Sequence, residues 1–246
     1  MKSRHSKHPA SWLLILTFLI GIIILTVALT ESPAIKHLGK KEYDDITADK
    51  IAKAAKVERQ NRSQSDDFNY AKTGQLNPVA VANYQAQDVI KSFSSNKDTS
   101  GYKGGSSNYY PAGRLMIPAV GLYLPIGIGG VSNAVLVRGG AGTLKPDQKM
   151  GEGNYALAGH YMTNTRILFS PIKRVQKGNR IIITDMKKVY TYQAISNQIV
   201  DKDDVEVLDD QPGRKLITLI TCASWRWNEP DRIVVQGKLQ SVQSYK

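Results

Sequence analysis

Cys222 is the only cysteine among 246 residues. It ends the run KLITLITC (Lys215–Cys222), and Arg232 follows in DRIVVQGKL after an intervening loop. His160 lies at the end of a third run, NYALAGHY (Asn154–Tyr161). A thiol, an imidazole and a guanidinium at the ends of strand-like runs are the parts of nucleophilic acyl transfer. The thiolate is the nucleophile, free cysteine has a pKa of about 8.5, and a nearby histidine is the usual activator. Attack on a carbonyl builds an oxyanion, which preorganised donors stabilise. Arginine offers a fixed and permanently charged fork of such donors.

Each residue also has a plainer reading. A lone cysteine is a buried small hydrophobe, an intermolecular link or a reactive thiol. A single histidine is a solvated loop residue in many proteins. Arg232 could pair with Asp231 or Glu229 at the surface, and Arg226 competes for its role. Elimination narrows the choice of base. Of four histidines, His5 and His8 precede a long apolar run and His37 lies just after it, so only His160 falls in the strand-rich region.

The elements that must position these groups begin with that apolar run. Ser11–Thr30 has no charged residue, and about 20 apolar residues suffice to cross a bilayer. It is longer than a signal-peptide core, and VALTES is a poor cleavage site. Lys2, Arg4 and Lys7 precede it, which keeps the N-terminus cytoplasmic. The expectation is a plasma-membrane protein with one span, its remaining domain extracellular. Residues 1–10 are then a cytoplasmic tail, 11–30 the signal-anchor helix, 31–112 a stalk or linker with helices, and 113–246 the folded domain. Within the stalk, Glu42–Gln64 has helical apolar spacing and reads either as a stalk helix or as a disordered linker, and Val79–Phe93 has helical spacing after the helix start Asn77-Pro78. Ser94–Gly113 is rich in Gly and Ser, as in a flexible linker.

From Arg114 onward, short runs rich in Val, Ile, Tyr and Thr alternate with turn residues: RLMIPAV, LYLPIGI, AVLVRGG, NYALAGHY, NRIIITD, KVYTYQAISNQIV, KLITLITC and DRIVVQGKL. These are eight strands of an all-β sandwich or barrel. Arg166–Val175 and Asp201–Leu208 read as short helical turns. LITLIT is apolar or β-branched on both faces, so its strand is covered on both sides. Leu216, Thr218, Ile220 and Cys222 share one face by the period of two. The net charge of +12 suits a surface beside anionic envelope polymers and lipid headgroups. Neither a zinc spacing, a phosphate-cradling loop nor an RNA signature accompanies it, so nucleic acid is not an expected partner.

TLITC (Thr218–Cys222) followed by Arg232 in DRIVV resembles the signature of sortases, and LAGH (Leu157–His160) resembles their histidine segment. GRLMIPAVGLYLPI (Gly113–Ile126) is similar to their opening strands. GAGTLKPDQKMGEGNYALAGH (Gly140–His160) is similar to the class A, housekeeping branch. The resemblance covers about residues 113–240. It implies the eight-stranded sortase β-barrel and cell-wall sorting in a Gram-positive bacterium. It also implies that Cys222 attacks the Thr–Gly bond of an LPXTG-type signal to form a thioacyl enzyme. His160 is then the acid and base, and Arg232 binds substrate and steadies the oxyanion. An amine of a peptidoglycan precursor, lipid II-like, accepts the acyl group.

Around the substrate, Ala158 and Gly159 of the histidine segment and Thr221, through its backbone or hydroxyl, are expected to contribute. Trp225 and Trp227 either frame the acceptor groove or pack on the barrel rim. Specificity is expected in Asp201–Pro212 and on the barrel face near Ala158. Some class A sortases bind calcium through clustered acids before the histidine strand. Here Leu144–Asn154 offers only Asp147 and Glu152, so no metal, cofactor or calcium requirement is expected. Tyr161 stands where many relatives have a second histidine. The rival readings are a papain-like hydrolase, whose cysteine usually precedes its histidine, a pilus-type sortase, which typically has an Asp-Pro-aromatic lid, and a non-catalytic envelope adaptor on the same scaffold.

Overall fold

The computed structural model describes residues 15–20, 40–61, 110–128, 140–162, 165–166, 168–226 and 228–246. Residues 15–20 are helical; the rest of the expected span and the expected helix at 79–93 lie outside the described residues. Among the described residues no helix is long and apolar enough to cross a membrane.

Eight strands close into a barrel: β1 (Tyr110–Ile117), β2 (Leu122–Ile128), β3 (Ala141–Thr143), β4 (Asn154–Ala158), β5 (Arg180–Thr184), β6 (Lys188–Asp201), β7 (Leu216–Cys222) and β8 (Asp231–Ser244). Their order around the barrel is β1-β2-β3-β4-β7-β8-β6-β5, and the β1–β5 pairing of Arg114 with Thr184 closes it. The third strand differs from the sequence reading. AVLVRGG lies outside the described residues save Gly140, and the described strand is Ala-Gly-Thr. Two small residues carry no alternating apolar pattern, and the strand forms because β2 and β4 pair with it on either side.

Alternation divides the apolar side chains into two sets. Leu115, Ile117, Leu157, Ile183, Tyr192, Leu219 and Val235 belong to the main core. Ala156, Ala158, Ile220 and Val234, the intervening residues of β4, β7 and β8, form a second cluster with Leu144, Val200, Val207 and Leu208. Val207 and Leu208 come from the 3-10 turn Val205–Leu208. That turn covers the second face of β7, which explains why every residue of LITLIT is buried. The other expected turn is a 3-10 turn at Ser170–Arg174.

Part of the expected stalk is docked on the barrel. Helices α1 (Lys40–Asp45) and α2 (Ala48–Asn61) bury Ile46 and Ala54. The Arg114 guanidinium of β1 lies 4.6 Å from the centre of the Tyr43 ring. Its Nη2 donates to the Asp44 and Ile46 carbonyls at 2.9 and 3.1 Å. Such a cation over an aromatic face contributes about 0.5–2 kcal/mol, in addition to the two capped carbonyls at the end of α1.

Candidate active site

The strand order brings three distant residues to one end of the barrel. β4 and β7 run parallel, with Ala158 opposite Ile220. Two residues further along each lie His160 and Cys222, so both strands deliver their side chains at the same rim. β8 runs antiparallel to β7, and its start returns Arg232 directly opposite Cys222. Paired strands lie about 4.8 Å apart, so the thiol strand is flanked by histidine on one side and arginine on the other.

The backbone around the three is braced. The Gly159 amide donates to the Ile220 carbonyl at 3.2 Å, and the Thr221 hydroxyl donates to the Gly159 carbonyl at 2.8 Å. The hydroxyl of Thr221 therefore ties β7 to the histidine segment, and Thr221 is itself buried. Gly159 is required by space: a Cβ there would lie 2.4 Å from the Phe169 ring. Phe169 is fully buried and its amide donates to the His160 carbonyl at 3.1 Å. Tyr161 joins the main core.

Arg232 is completely buried, which rules out a surface ion pair with Asp231 or Glu229. Its Nη1 donates to the backbone carbonyls of Glu229 and Asp231 at 2.5 and 3.0 Å. Arg226, the competing arginine, is exposed in the loop. Cys222 sits at the rim of the main core, intermediate in exposure. Burial pushes its thiol pKa up; the Arg232 charge pulls it down and Glu229 pushes it up again. His160 is 7% exposed, and burial lowers its pKa from 6.5 to about 4. Its Nε2 is buried with no hydrogen-bond partner among the described residues. At neutral pH the resting site thus holds Cys222 as a thiol and His160 as a neutral imidazole.

Of the remaining expected residues, Ala158 lies buried beneath the Val205–Leu208 turn. Trp225 is 60% exposed in the loop after Cys222; Trp227 lies outside the described residues. Among the described residues no cluster of three or more His, Cys, Asp or Glu is placed to hold a metal ion.

Several residues were not singled out from the sequence. Lys145 Nζ reaches Asp210 Oδ1 at 2.6 Å and the Leu208 carbonyl at 3.1 Å. Asp210 Oδ1 also accepts the Asn154 amide at 2.7 Å. Asn154 Nδ2 donates to the Val207 carbonyl at 2.9 Å, and its Oδ1 accepts from Thr218 at 2.7 Å. Together they fasten the loop before β7 over the second cluster. Gln148 bonds both the amide and the carbonyl of Ala156, and the Leu144 amide donates to the same carbonyl at 3.0 Å. Their only sequence signal is polar residues in loops of otherwise ordinary composition.

A family model described as "Sortase domain" matches residues 115–240, half of the chain. Sortase A of Listeria monocytogenes is 29% identical over 230 residues, 92% of each chain. Sortase A of Bacillus anthracis is 41% identical over 134 residues, 54% of this chain and 62% of that protein. Among solved structures, Listeria monocytogenes sortase A superimposes with a TM-score of 0.52 at 34% identity, covering 55% of this chain and 91% of that one.

Proposed function

This chain belongs to the sortase family of cysteine transpeptidases, and we propose that it cleaves LPXTG-type sorting signals between Thr and Gly and joins the surface protein to an amine of a lipid II-like peptidoglycan precursor. The observation that carries the proposal is the convergence of Cys222, His160 and Arg232 through the parallel β4–β7 and antiparallel β7–β8 registers.

In the proposed reaction the Cys222 thiol passes its proton to His160, and the thiolate adds to the threonine carbonyl carbon. The oxyanion forms beside the buried Arg232 guanidinium. Collapse breaks the Thr–Gly C–N bond, and the imidazolium protonates the leaving glycine amine. The thioester remains on Cys222. An incoming amine then adds to the same carbonyl, gives its proton to His160, and expels the thiolate, which recovers a proton from the imidazolium. Proton transfer within the pair costs energy because both groups rest neutral.

The segment Asp201–Pro212, whose Val205–Leu208 turn packs on Ala158, Ile220 and Val234, borders the end of the barrel that carries Cys222 and is where we place recognition of the sorting signal. Trp225, exposed in the loop that follows Cys222, suits the acceptor side. The uncharged run Ser11–Thr30 supports a single-pass anchor with the catalytic domain outside the cell.

The test is to incubate the full chain in detergent with an LPXTG-type peptide and a small amine, following products by mass spectrometry. An amide-linked product that disappears in Cys222→Ala, His160→Ala and Arg232→Ala supports the proposal. Absence of cleavage together with an unreactive Cys222 removes it.

A further inference from the structure

The loop from Ala223 to Pro230 carries a carboxylate that the reaction above does not use. Glu229 is 8% exposed, although Trp225, Arg226 and Asn228 of the same loop are exposed. Carboxylates are almost never buried to this degree unless compensated. Here the Ser224 hydroxyl donates to Oε2, and the Asp231 amide donates to Oε1 at 3.2 Å. The Ser224 oxygen also accepts the Arg226 amide at 3.2 Å. These bonds join the beginning of the loop to its end, above a neck closed by the Ala223 amide and the Asp231 carbonyl at 2.9 Å. The same turn of chain presents the Glu229 and Asp231 carbonyls to Arg232 Nη1.

We propose that Glu229 is a positioning residue for the transpeptidation: its carboxylate, held by Ser224 and the Asp231 amide, closes the β7–β8 loop and fixes the two carbonyls that hold the Arg232 guanidinium beside Cys222. This rests on the roles given above to Cys222 and Arg232.

A mere staple for the loop would leave the thiol unaffected. Glu229 instead bears on it in two opposite ways. Its own charge pushes the thiol pKa up, whereas the arginine it positions pulls that pKa down. The other titratable or charged groups near the pair are His160 at the end of β4, Asp231 beside Arg232, and Lys202, whose backbone amide donates to the Pro230 carbonyl and whose charge acts on Arg232. The two effects can therefore be separated by two substitutions. Glu229→Gln removes the charge and keeps the shape. Ser224→Ala keeps the charge and loosens the clamp.

The experiment follows alkylation of Cys222 by iodoacetamide across pH in the full chain, where the sole cysteine makes the reading unambiguous. Transpeptidation kinetics and thermal unfolding are measured beside it. Glu229→Gln moves the alkylation profile to lower pH, and Ser224→Ala moves it to higher pH. Glu229→Ala lowers kcat on the order of 100-fold, the scale of a misplaced catalytic group, with KM changed much less, and Glu229→Gln recovers most of that loss. Either alkylation profile superimposing on the wild type overturns the proposal, as does a Glu229→Ala chain with unchanged kcat. Should the wild-type chain leave the peptide intact, the substrate assignment fails, and the opposite shifts of the two profiles still decide the role of Glu229.

Discussion

Cys222 and Arg232 are direct register partners across β7 and β8. Residues opposed in an antiparallel pair have Cα atoms about 4.5–5.5 Å apart. The Arg232 guanidinium is buried and its Nη1 is held by two backbone carbonyls, so its donors are in place before substrate arrives and need no reorganisation as charge develops. Arg232→Lys keeps the charge and discards the fork. The expected loss in kcat/KM is about 100-fold, the lower end for removing an oxyanion donor. Steady-state kinetics on the peptide check this, and a loss below about threefold would assign Arg232 to binding or stability only.

His160 makes stability depend on pH. Its folded pKa is about 4 against an ordinary 6.5, so between these values the unfolded chain binds the proton and the folded chain does not. Stability from this group is complete above about pH 6.5 and is lost as pH falls toward 4. The 2.5-unit gap corresponds to about 3 kcal/mol. Denaturant unfolding at pH 7 and pH 4 should show the wild type losing roughly that much more than His160→Gln, since other titrating groups are common to both. Equal losses would show that the imidazole is not held neutral.

Gly159→Ala tests the packing behind the histidine. The new methyl would meet the Phe169 ring at 2.4 Å, and Phe169 holds the His160 carbonyl. Overpacking of this kind costs about 1–3 kcal/mol. Because the shift falls on the strand end, activity should decrease more than stability. Unfolding curves and turnover measured on one preparation would separate the two effects.

Lys145 and Asp210 join the loop before β4 to the loop before β7. The lysine brings a positive charge to that junction, and Asp210 has its pKa lowered by the bond to Lys145 and by the Asn154 amide. We expect turnover to be the same in calcium and in EDTA. Lys145→Ala should raise KM for the peptide severalfold with a smaller change in kcat, because the turn that it holds covers Ala158 and Ile220 rather than the thiol. A strong calcium activation of the wild type would contradict this.

Much of the chemistry was visible in the residues themselves. A sole thiol, a sole imidazole in the strand-rich region and an arginine opening the next strand leave few other candidates. Runs rich in Val, Ile and Thr showed where β7 ends and β8 begins, and LITLIT announced a strand covered on both faces; β4 stops at Ala158, short of the end of the run NYALAGHY, and β8 runs on to Ser244, beyond the run DRIVVQGKL. β3 was missed because Ala-Gly-Thr has no pattern to read. The helical spacing of Glu42–Gln64 left a helix or a linker open; the chain forms two helices there, and their dock was not legible because Arg114, which binds the first, lies some 70 residues away.

What the sequence determined by itself was therefore which groups exist and where each strand delivers them. Local propensity and alternation act over a few residues, and these are carried in the chain directly. What only the tertiary structure decided was who faces whom and in which protonation state. The β4–β7 register joins segments more than 60 residues apart, and barrel closure, not local preference, selects it. Burial then sets the His160 and Cys222 pKa values and sinks Glu229 into the loop. Desolvation depends on everything packed around a group, and no short stretch of sequence contains that.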